Sequence, residues 1–234
     1  MSVRQKLAQF WVLLRHELRL EVRTRESIWT AGLFAAVLLT VFVFSGFDEK
    51  RIAARAFPGI LWVSVSFVGS VIFGRSFQRE RAGRLIDALL LVPGALSSLF
   101  AARTLTNMLL LLGIELLLVP VAIGVFDVTF HGSALAMLAG VLFLCTFGYA
   151  VMGTVLSAAL STMRLRDVLL PILLFPLTIP LLIAGVRATA ALVGADSIDG
   201  ALQWLGIMLT FDLLFLVVGR WLFVQTMDPA IAQQ

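Results

Sequence analysis

The chain has 234 residues, 60% hydrophobic and 14% charged, with a formal net charge of +4 and a mean hydropathy of +1.02. Soluble domains carry about 25% charged residues, and a core of this size cannot hide so much apolar surface, so a water-soluble globular class is excluded and the bilayer is the natural solvent. A single cysteine, Cys145, excludes an intrachain disulfide.

The first element is amphipathic. Val3, Leu7, Phe10, Trp11, Leu14, Leu18 and Val22 recur at helical spacing, interleaved with Arg4, Lys6, Arg15, Arg19 and Arg23. This pattern predicts a helix over 1–27 lying along the inner membrane surface. A cytosolic helix packed on another element is the plainer alternative.

Continuous apolar runs of about 20 residues then predict membrane helices rather than the alternating strands of a barrel. The expected spans are 28–47, 56–74, 104–126, 133–161, 168–187 and 201–222, within one transmembrane domain covering 1–234. The first run is too long for the apolar part of a cleavable signal and lacks a small-residue cleavage site. Lys and Arg set the orientation. Fourteen of the 18 lie before span one, between spans two and three, between spans four and five, or at the C-terminal end; Lys50, Arg51, Arg55 and Arg187 lie on the other side. Both termini are therefore expected in the cytoplasm. The basic balance is a topology signal, and no nucleic-acid site is expected.

Between spans two and three stands a charged island, "GRSFQRERAGRLIDALLLVP". Over 79–92, Ala82, Leu85, Ile86 and Leu89 fall at i, i+3, i+4 and i+7, while Glu80, Arg81, Arg84 and Asp87 take the other side. Pro93 and Gly94 end the pattern. A short helix with one apolar side and both signs of charge suits a groove on a soluble partner. Arg79, Glu80, Arg81, Arg84, Leu85 and Asp87 are the candidate partner-binding residues. An arginine-rich loop that merely obeys the positive-inside rule is the alternative, but it has no need of Glu80 and Asp87.

Two acids sit inside predicted spans, Glu115 in the third and Asp212 in the sixth. Ionisable groups in lipid are costly and are functional candidates by default. Glu115 either makes a structural hydrogen bond between helices or lines a polar path. Asp212 either pairs with Arg220 or water near the membrane edge, or joins that path. The fifth span, "VLLPILLFPLTIPLLIAGV", holds Pro171, Pro176 and Pro180. Three missing backbone donors predict a bent or broken helix.

The order of these elements resembles the permeases of ABC-type exporters. The segments "GRSFQRERAGRLIDALLLVPGALSSLFAARTL", "LLLLGIELLLVPVAIGVFDV", "ILLFPLTIPLLIAGVRATAAL" and "LTFDLLFLVVGRWLFVQTMDP" are similar to the CcmB family. That family is the membrane subunit of the cytochrome c maturation system of the bacterial inner membrane. The resemblance implies four partners: an ATP-binding subunit (A), a haem-handling membrane subunit (C), a small single-span subunit (D) and a periplasmic haem chaperone (E). It implies haem in the complex and ATP with Mg on the partner subunit, and a chain that is itself no enzyme.

The residues agree with an external energy source. The ATP-binding loop G-x-x-x-x-G-K-[ST] requires a lysine, and the two lysines, Lys6 and Lys50, do not follow a glycine. The candidate haem ligands by residue type are His16, His131, Cys145 and Tyr149. His16 reads as a surface residue, His131 as part of an external turn, and Cys145 and Tyr149 as packing residues on one helix face. No Cys-x-x-Cys-His occurs, which excludes covalent haem attachment by that motif. No cofactor is expected on this chain itself. The leading expectation is a permease that relays the cycle of a partner ATPase. A gradient-driven transporter using Glu115 and Asp212, and a scaffold for haem-handling subunits, are the alternatives.

Overall fold

The computed structural model describes residues 3–24, 26–45, 50–76, 92, 94–130, 132–161, 163–193 and 199–227. Among them the chain forms seven helices and no strand: α1 (Val3–Thr24), α2 (Glu26–Phe44), α3 (Lys50–Ser76), α4 (Ala95–Val125), α5 (Ser133–Ala159), α6 (Arg166–Leu192) and α7 (Asp199–Met227). In hydrocarbon a helix satisfies its backbone polar groups internally, which is why long apolar runs fold this way. Arg79, Glu80, Arg81, Arg84, Leu85, Asp87 and His131 lie outside the described residues.

Five helices contain stretches long and apolar enough to cross a membrane: Ile52–Ser76, Ala95–Val125, Ser133–Ala159, Arg166–Leu192 and Gly200–Met227. The first expected span, 28–47, is matched by a shorter helix. Its apolar stretch is Ile28–Phe44, about 25 Å long against a hydrocarbon core of about 30 Å. α2 ends at Phe44, and Ser45 turns back on its last turn. The Ser45 amide donates to the Phe42 carbonyl (3.2 Å) and its hydroxyl to the Val41 carbonyl (2.8 Å). Elsewhere the helices outrun the expected boundaries. α3 begins at Lys50 rather than residue 56, and α4 at Ala95 rather than 104. A charge-free run marks the part that crosses lipid, while helical bonding continues into the polar flanks.

Contacts between side chains fix the helix directions. Asn107 meets Thr154 and Glu115 meets Thr146, so α4 and α5 are antiparallel. Tyr149 meets Ser66 and Ser157 meets Phe73, so α3 and α5 are parallel. Gly148 abuts Asp212 and Gly219 abuts Val151 and Val155, so α5 and α7 are parallel too. Trp62 meets Thr189 and Gly74 meets Arg166, which sets α6 against α3. The result is an up-down bundle with α5 at its centre, in contact with α3, α4, α6 and α7.

Small residues let these helices approach. A Cβ at Gly153 would collide with the Phe73 ring, and one at Gly69 with Tyr149. The outward faces of α4, α6 and α7 stay apolar, with Leu116, Leu117, Ile172, Ile183, Leu213 and Val217 exposed. This is the inverse of a soluble protein and suits contact with lipid.

α1 combines the two sequence readings. Leu14 and Glu17 are buried as it packs on α4, while Leu7, Trp11 and Val12 remain exposed as an apolar edge. α6 runs unbroken from Arg166 to Leu192 through Pro171, Pro176 and Pro180, so the chain does not break there. The rings instead deprive the carbonyls of Asp167, Ile172 and Pro176 of their usual helical donors. α1 and the C-terminal turns of α7 meet at one end of the bundle, where Leu7 and Phe10 share a groove with Leu216 and Arg220.

Candidate functional site

Two polar layers cross an otherwise apolar interior. The first lies at the α1 end, where α3 finishes. The last carbonyls of a helix have no intrahelical donor and attract cations. Here three other helices supply the donors. Ser157 of α5 donates to the Phe73 carbonyl at 2.7 Å. Arg166, at the start of α6, donates to the Gly74 carbonyl at 2.8 Å. Arg103 of α4 donates to the Ser76 carbonyl. The same guanidinium reaches Glu17 of α1 at 2.9 Å, and both side chains are buried. Asn107 adds a bond to Thr154 (2.9 Å) and another to the Ser76 hydroxyl (3.2 Å). Three helices, joined by α1 through Glu17, thus fasten the end of α3, immediately before the charged island.

The second layer lies deeper. Thr146 of α5 donates to Glu115 Oε1 at 2.6 Å, and Glu115 is only 2% exposed. The interhelical bond expected of Glu115 is present, and its Oε2 has no hydrogen-bond partner among the described residues. Asp212, also 2% exposed, comes to the same level of α5 from the opposite side and lies against Gly148. Neither Asp212 oxygen finds a donor among the described residues. The pair with Arg220 does not form: Arg220 stands two turns nearer the α1 end, exposed, in a different groove. The absence of a side chain at Gly148 makes room for the carboxylate, since a Cβ there would meet Asp212 Oδ1 and the Leu181 methyl.

Cys145 and Tyr149 pack inside the bundle, as their shared helix face suggested. The Cys145 thiol points at the Leu181 carbonyl (3.7 Å), and the Tyr149 hydroxyl donates to the Ser66 carbonyl (2.6 Å). Trp62 Nε1 donates to Thr189 Oγ1 at 2.9 Å and ties α3 to α6. His16 is exposed on α1. Among the described residues no group of three or more His, Cys, Asp or Glu side chains is placed to hold a metal ion.

The structure brings Glu115 and Asp212 to one level. It adds a clamp that the sequence reading missed. Arg103 and Arg166 were counted there only for orientation, and Asn107 passed as part of an apolar run. The available signal was a lone amide or guanidinium beside long uncharged runs, where lipid offers it no partner.

The description "CcmB protein" matches residues 8–225, nearly the whole chain. The chain belongs to the CcmB family. Curated relatives extend the match. "Heme exporter protein B" of Escherichia coli (strain K12) is 31% identical over 202 residues, covering 86% of this chain and 90% of that protein. The protein of the same name from Bradyrhizobium diazoefficiens is 26% identical over 211 residues, covering 88% and 91%. That of Pseudomonas aeruginosa is 25% identical over 196 residues, covering 84% and 87%. The CcmB match spans α2 to α6 entirely and most of α1 and α7, so both polar layers fall inside it.

Proposed function

We propose that this chain is the permease subunit of an ABC-type complex for c-type cytochrome biogenesis in the bacterial inner membrane. ATP hydrolysis by a partner subunit (A) drives haem handling or export and release of the haem-loaded chaperone (E), beside the membrane subunits C and D. The observation that carries this reading is the family match over residues 8–225, with relatives named for haem export. Haem is the cargo in this account, and ATP with Mg belongs to the partner.

In this reading the bundle has six crossings with both termini in the cytoplasm. α2 completes the sixth with its flanking residues, and the α1 end faces the cytoplasm because the basic residues gather there. The helix over 79–92 docks into the ATPase through Arg79, Glu80, Arg81, Arg84, Leu85 and Asp87. The clamp on Phe73, Gly74 and Ser76 explains how a push there reaches the bundle. Arg103, Ser157 and Arg166 fix the end of α3 to α4, α5 and α6, so displacement of the island displaces all of them together. Glu115 and Asp212 supply the polar layer that such a movement rearranges, and Pro171, Pro176 and Pro180 give α6 its compliance.

The test is purification of the complex from cells producing Arg84→Glu, Asp87→Lys or the double variant. Loss of the ATP-binding subunit with the remaining membrane subunits retained is the expected result. Full ATPase recruitment by the double variant contradicts the docking role. The partnerless oxygens of Glu115 and Asp212 favour a second reading, transport driven by an ion gradient. That reading requires haem-dependent maturation to persist when the ATPase is inactive.

A further inference from the structure

A groove of about 550 Å³ opens at the α1 end of the bundle, between α1, α4, α5 and α7. Its composition changes with depth. Ser97, Ser98 and Arg220 line it together with the α4 entry at Gly94, while Met108, Phe147 and Leu216 form its apolar part. Ser97 and Met108 lie about 16 Å apart along α4, roughly half a hydrocarbon core.

Two observations say what fills it. Arg220 is exposed and makes no ion pair among the described residues, so the groove offers an uncommitted cation. α4 starts at Gly94, whose φ of 75° is left-handed, with no side-chain cap. The Ala95 amide donates to the Val92 carbonyl (3.2 Å) and the Ser98 amide to the Gly94 carbonyl (3.3 Å), which among the described residues leaves the Leu96 and Ser97 amides of the first turn unbonded. Free amides at a helix N-terminus favour an anion.

We propose that this groove holds one anionic glycerophospholipid. Its phosphate lies between Arg220 and the first turn of α4, and an acyl chain runs along Met108, Phe147 and Leu216. A free phosphate would satisfy the cation but leave the apolar part empty. A neutral lipid would fill the apolar part but leave Arg220 without a counter-charge. The site is independent of the transporter reading and of which leaflet the α1 end faces.

The test uses the purified full chain in detergent, titrated with palmitoyl-oleoyl phosphatidylglycerol or with phosphatidylcholine of the same chains, and read as bound lipid by native mass spectrometry. One phosphatidylglycerol is expected to remain bound, with phosphatidylcholine weaker by about fivefold or more, the effect of one basic residue on an anionic headgroup. Arg220→Gln brings the two lipids together. Ala101→Trp, at an exposed position on the groove wall, removes the bound lipid while the helicity is unchanged. Equal binding of the two lipids by the unaltered chain overturns the proposal. So does an Arg220→Gln chain that still prefers phosphatidylglycerol, an Ala101→Trp chain that still retains it, or displacement by millimolar inorganic phosphate.

Discussion

Arg103 shows how much a single side chain can hold in a bundle of this kind. It joins α1 to α3 through α4 and is buried, so its charge depends on Glu17 and on the Ser76 carbonyl. Removing one member of a buried pair strands the other and costs about 3–5 kcal/mol. Glu17→Ala and Arg103→Ala should each lower the thermal unfolding midpoint in detergent. The double variant should lose less than the two single losses combined, because it strands no charge. Strict additivity would mean the pair is not coupled. Asp212 should behave in the opposite way. Its two oxygens have no donor among the described residues, and an unsatisfied buried group costs about 1–3 kcal/mol. Asp212→Leu is expected to raise the unfolding midpoint and to abolish haem-dependent cytochrome maturation, the usual trade at a functional group. A stabilised variant with full maturation would make Asp212 dispensable.

At the scale of the element, the sequence showed the helices far better than their partners. The long runs behind α4 to α7, broken by no charge but Glu115 and Asp212, were legible because lipid requires them to be apolar and continuous. Their ends were not, since a charge-free window stops at Arg103, whereas helical bonding continues through it back to Ala95. The amphipathic period of α1 was readable, but its docking on α4 was not. That contact rests on Glu17 and Arg103, 86 positions apart, which no local pattern links. Glu115 and Asp212 stood out as lone acids, whereas their meeting on either side of α5 depends on Thr146 and Gly148. In α6, Pro176 leaves the Ile172 carbonyl without its helical donor. Pro176→Ala restores that bond and should slow amide hydrogen exchange in the neighbouring turns. If compliance of α6 matters, the complex assembles normally but matures less cytochrome. Unchanged maturation with slowed exchange would reduce the prolines to a fixed shape.

For the whole molecule, mechanical continuity is what joins the island to the bundle. The charged island follows directly on Ser76, and the end of α3 is the most heavily cross-bonded point described in the bundle, held by Ser157, Arg166, Arg103 and Asn107. Arg103→Gln with Arg166→Gln should leave the ATPase bound yet uncouple its hydrolysis from cytochrome maturation, seen as retained ATPase activity with lost holocytochrome. Loss of both together would point to misassembly rather than uncoupling.

Coupling of this kind requires the island to face the cytoplasm, where an ATPase can reach it. The native cysteine is buried and suits a labelling background. Arg84→Cys and Arg187→Cys can then be probed with a membrane-impermeant maleimide in spheroplasts and in inverted membrane vesicles. Position 84 should react only in inverted vesicles and position 187 only in spheroplasts; labelling of position 84 in intact spheroplasts would contradict the account.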